Sequence, residues 1–64
     1  MNILEIKAEL ENFLLNVIPE FEYKSNFRGL LARINASSSD IQKALELMDE
    51  ANREETEGWL KLVA

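Results

Sequence analysis

Sixty-four residues with no cysteine and no histidine form one domain at most, and a chain this short removes only about 60% of the surface its unfolded form exposes. Disulfide support and a Cys/His metal site are excluded, which leaves self-association as the expected source of extra stability. Apolar residues make up 47% of the chain, too many for a disordered segment, and seven Lys and Arg against twelve Asp and Glu give a net charge of -5, which opposes attraction to phosphate backbones or anionic lipid.

The first predicted element is a helix over about residues 3–17. Ile3, Ile6, Leu10, Phe13 and Val17 recur at alternating steps of three and four, the period of an amphipathic helix. A second row, Leu4, Leu14, Leu15 and Ile18, is read as lying beside the first and widening the apolar face to about half the circumference, beyond the roughly 100° stripe of one-sided packing. This helix is therefore expected to touch more than one neighbour. Pro19 disfavours helical geometry at Ile18 and lacks an amide donor, so the helix should end near Val17.

Residues 19–26 read as a connection carrying two anchoring aromatics, Phe21 and Tyr23. Ser25 or Asn26 is placed to cap a second helix over about 26–35, with Phe27, Leu30, Leu31 and Ile34 on one face. Gly29 costs that helix about 1 kcal/mol relative to Ala, and a close approach of another backbone would explain it.

Residues 35–39, Asn-Ala-Ser-Ser-Ser, form the clearest loop, and Ser39 with Gln42 fits a capping box. Ile41, Ala44, Leu45, Met48, Ala51, Trp59, Leu62 and Val63 then keep one helical phase. That coherence predicts a single third helix over about 40–63, roughly 37 Å long and overhanging its partners. Leu60 points away from the stripe. Asn52 and Glu55 interrupt it, and because a buried unpaired carboxylate is too costly to persist, Asn52 is expected at a helix–helix seam as a register device, with Glu55 hydrated or salt-bridged at its edge.

Nucleophilic catalysis through Ser–His or Cys–His is excluded by composition, and Gly29 and Gly58 alone make no phosphate loop. Glu46 with Asp49, and Glu54 with Glu57, are acidic pairs three residues apart that resemble those of helical nucleoside triphosphate pyrophosphatases. That family sets its pairs on facing helices of a longer chain, whereas both pairs here fall on one predicted helix, and no metal site is expected. The charge imbalance sits in residues 36–64, with three basic and seven acidic groups against four and five in residues 1–35. Glu46, Glu50 and Glu54 form a ladder of like charge one turn apart, a candidate stripe for docking on a basic surface. Asp49 with Arg53 and Glu57 with Lys61 are oppositely charged pairs at the same spacing.

These features predict an all-α protein, a small three-helix bundle or helical hairpin with a long C-terminal helix that pairs as a homodimer. With no apolar run near the roughly 20 residues of a membrane span and no signal-like start, it is expected to be cytoplasmic, without enzymatic activity or cofactor. The expected function is a small acidic interaction module that binds and modulates a larger protein, as an inhibitor or phage-type accessory factor does. Glu46, Glu50, Glu54, Trp59 and Leu60 form its candidate interaction surface, and Asn52 and Glu55 its seam. The alternatives are a dimeric DNA-binding regulator, for which an acid-opened third helix supplies few phosphate contacts, and a purely structural oligomerisation module.

Overall fold

Helix α1 (Ile3–Asn16) begins where Asn2 takes an extended conformation and accepts a bond from the Glu5 amide, while the Glu5 side chain accepts from the Asn2 amide. This reciprocal box satisfies two amides that would otherwise lack partners. The helix ends as expected, with Val17 extended at its C-cap. The computed structural model describes residues 1–17 and 23–64, so the first part of the connection expected over 19–26, including Phe21, lies outside the described residues, while 23–26 are helical. Helix α2 (Tyr23–Ile34) starts earlier than the sequence suggested, which places Ser25 and Asn26 inside its first turn rather than at its cap.

Asn35 adopts φ 49, the left-handed conformation that a short polar side chain tolerates, and turns the chain out of α2. Two residues later Ser37, not Ser39, caps α3 (Ser38–Glu46) by accepting from the Asp40 amide at 3.1 Å. Helix α3 then stops, contrary to the single long helix expected from phase coherence. Leu47 and Met48 donate to the carbonyls three residues back, Ala44 and Leu45, and this tightening closes the last turn. Asp49 goes extended and caps α4 (Glu50–Val63), accepting from the Asn52 amide at 2.9 Å. The described residues therefore form four helices where three were expected, and the overhang disappears with the break.

The core draws on every helix: Ile6 and Leu10 from α1, Phe27, Leu30 and Ile34 from α2, Ala44 and Leu45 from α3, with Met48 in the α3–α4 corner. Thr56 of α4 is fully buried among them, its hydroxyl 3.8 Å from the Met48 sulfur. Phe13, Phe27 and Trp59 pack as a trio with ring centroids 5.0 to 5.9 Å apart, Trp59 meeting Phe13 edge-on, the geometry aromatic quadrupoles favour. As expected of its broad apolar face, α1 packs against more than one helix, touching α2, α3 and α4. Among the described residues, α2 and α3 make no close backbone approach to each other despite their short connection. The radius of gyration is 10.8 Å, against about 10.7 Å expected for a compact domain of this length. No described helix is long and apolar enough to cross a membrane.

Candidate interaction face

The break at 47–49 resets the phase of the C-terminal segment and redistributes its expected site residues. Leu60, expected to point outward, is partly buried against the core, whereas Leu62, expected inside, is 50% exposed. Trp59 is partly buried in the aromatic trio. Trp59 and Leu60 are therefore both packed in part against the core. The acidic ladder is cut, because Glu46 closes α3 and Glu50 opens α4. Glu50 and Glu54 remain one turn apart on α4, and all three acids are exposed.

Asn52 lies half-buried at a seam, but within the chain: its side-chain amide donates to the Glu11 carboxylate of α1 at 3.5 Å. Glu55 is exposed at the edge of α4, and neither Arg28 nor Arg33 reaches it. Arg33 instead makes a two-pronged contact with Glu9, both N–O distances 3.2 Å. The other ion pair among the described residues is Lys7 with Glu11 at 3.0 Å. The acids of residues 36–64, including Asp49 and Glu57, have no ion-pair partner among the described residues. Among those residues no three metal-capable side chains come together.

Gly29 does not mark a close approach, since a Cβ built there meets nothing within 4 Å. It lines an open groove of about 420 Å³ between α1 and α2, with Phe13 and Leu30 beside it and Asn12, Asn16, Asn26, Glu9 and Arg33 around them.

The feature missed by sequence reasoning is on α1. Its apolar residues divide into two lines, and the second does not lie wholly beside the first. Ile3, Ile6, Leu10 and Phe13 face the core. Leu4, Ala8 and Leu15 lie on the other side of the helix, with Leu4 and Leu15 about 140–160° from the inward direction at 100° per residue. Leu4 is 68% exposed and Leu15 84%, and Ala8 is exposed between them. On the flanks of the core-facing side, Glu11 meets Asn52 of α4 and Glu9 meets Arg33 of α2. The signal was present in the spacing, but treating both lines as one wide face concealed it. Comparison of the chain with protein-family models, curated proteins and solved structures gives no match.

Proposed function

We propose that this chain is a small acidic protein-interaction module that works by binding, and thereby modulating, a larger protein, and that it does so as a homodimer. The observation that carries the reading is the outer line of α1. Two leucines with most of their surface in water, flanked by a small residue, are what a helix–helix contact requires and what a solvated helix does not. Fully burying a leucine contributes about 1.5–3 kcal/mol, so Leu4 and Leu15 together supply enough to anchor a partner. The exposed acids of α3 and α4, Glu46, Glu50 and Glu54, favour a basic partner surface and raise its association rate more than its affinity. The same charge disfavours DNA and anionic membranes as partners. No catalytic role, cofactor or metal belongs to this reading.

The test is a double variant, Leu4→Glu with Leu15→Glu. Both side chains are exposed in the isolated fold, so helicity and thermal midpoint should change by no more than surface substitutions usually do, within about 0.5 kcal/mol. Proteins retained from lysate by the parent chain should be lost by the variant. Retention of the same proteins by a folded double variant refutes the assignment of this face.

A further inference from the structure

We propose that the groove between α1 and α2 holds an extended peptide segment of a partner protein, with one apolar side chain of that segment seated over Gly29. This rests on the reading of the chain as an interaction module and adds a second contact surface to it. The groove has an apolar floor, Phe13 and Leu30, beside the bare backbone of Gly29, and an exposed rim of primary amides, Asn12 and Asn16 from α1 and Asn26 from α2. A second hollow of about 390 Å³ is lined by Met1, Glu5, Ala8, Glu9 and Asn12. Because Glu9 and Asn12 line both, the two join into one trough that follows α1 from Glu5 to Asn16, about 17 Å. About five residues of extended chain have that length, whereas a compact small molecule fills one hollow alone.

The amides select an extended polypeptide. Asn16 donates its side-chain amide to the Asn12 carbonyl at 2.8 Å and to the Asn12 side-chain oxygen at 3.1 Å. These bonds orient both side chains and leave the Asn12 side-chain N–H groups and the Asn16 side-chain oxygen without partners among the described residues. A peptide unit offers the complement of that donor and acceptor, a C=O and an N–H. The two asparagines stand about 6 Å apart along α1, close to the roughly 6.6 Å at which an extended chain presents the same edge again. A helical segment has those groups bonded within itself and cannot answer them. On the facing wall the Asn26 side chain has no partner among the described residues, and Arg33 keeps N–H groups beyond the two it gives Glu9 for a peptide carbonyl. Gly29 gives the floor its depth. A Cβ there meets nothing within 4 Å, so no contact within the chain requires glycine, and the helix carries its propensity cost while the hollow stays open. At the far end Glu5 has no ion-pair partner among the described residues, so a Lys or Arg of the segment matches it, in keeping with the net charge of -5.

A random heptapeptide library displayed on phage is selected against the parent chain and, in parallel, against Gly29→Leu. The leucine fills the hollow from a position where an added Cβ meets no neighbour and removes a helix-destabilising glycine, so the variant stays folded. Peptides enriched on the parent should share an apolar position with a basic residue to one side of it. A synthetic copy of the dominant sequence should bind Gly29→Leu at least about tenfold more weakly than the parent. Asn12→Ala and Asn26→Ala, both at exposed positions, should each weaken binding several-fold with helicity unchanged. In NMR titrations the side-chain amides of Asn12, Asn16 and Asn26 and the Gly29 amide should shift, and the bound peptide should show the sequential contacts of an extended chain.

No enrichment on the parent, equal binding to Gly29→Leu, undiminished affinity in both asparagine variants, a helical bound peptide, or shifts confined to Leu4, Ala8 and Leu15 overturns the proposal. If no peptide distinguishes the parent from Gly29→Leu while Leu4→Glu with Leu15→Glu abolishes capture of a larger protein, the groove falls and the outer-face reading stands. If peptide binding needs Gly29 and the leucine double variant still captures the same proteins, the groove stands and the outer face falls.

Discussion

Replacing both glycines with alanine should stabilise this protein by an amount that can be worked out in advance. Gly29 and Gly58 lie within α2 and α4, both are exposed, and neither has positive φ. A Cβ at either position meets no atom within 4 Å, so no packing term opposes the substitution. What remains is the helix propensity difference, about 1 kcal/mol per site, part of which acts by narrowing the unfolded ensemble. The two positions sit on different helices with nothing contacting either added methyl, so the effects should add to about 2 kcal/mol. For a domain of this size that corresponds to a rise of about 4–8 °C per substitution and twice that for the pair. Circular dichroism melts and urea titrations at one fixed protein concentration measure it, with the urea midpoint moving and the slope unchanged. A double variant that gains less than about 0.5 kcal/mol refutes the propensity argument, and one that loses stability shows that the glycines admit a contact absent from the isolated fold.

Three further outcomes follow from the α3–α4 corner and the core. Asp49→Ala removes the cap of α4 and should cost about 1 kcal/mol, whereas Asp49→Asn should retain most of it; equal melts for parent and Ala variant would rule out the cap as the cause of the break. Thr56→Val should change stability by less than about 1 kcal/mol in either direction, because the hydroxyl's partner is a thioether, a weak acceptor; a large loss in chemical denaturation would reveal a stronger bond at that hydroxyl. Trp59→Ala should cost about 2–4 kcal/mol, below the range for a fully buried tryptophan because the ring is only partly covered. The parent's single tryptophan should emit at a wavelength between those of buried and free indole, and fully exposed emission would contradict its place beside Phe13 and Phe27.

The helices themselves were legible because apolar spacing and breakers agreed: the inward line of α1 and Pro19 located both its packing face and its end. The α3–α4 corner was not, because the break shifts which residues of α4 face inward. Thr56 and Asn52, both polar, occupy the inner side of α4, while Leu62 and Ala51 face water. The common helical phase of the apolar residues from Ile41 to Val63 therefore did not require one continuous helix. The informative signal was local: Asp49 followed by Glu50 is a capping residue with an acid in the first turn behind it. Glu11 and Asn52 illustrate the same limit on the candidate seam. The sequence showed that Asn52 needed a partner, but a contact between residues 41 positions apart follows only from how α1 and α4 pack.

A helix that is apolar on two nearly opposite sides has two ways to dock during folding. Turned about its axis, α1 would offer Leu4, Ala8 and Leu15 to the core in place of Ile6, Leu10 and Phe13. Hydrophobic burial already favours the observed state, since the turned one would bury two leucines and an alanine in place of isoleucine, leucine and phenylalanine. The residues beside them widen the separation. The turned state carries the Glu11 carboxylate inward, surrenders the Glu9–Arg33 contact and withdraws Phe13 from Phe27 and Trp59. The polar flanks of α1 thus act as a key that fixes its rotation.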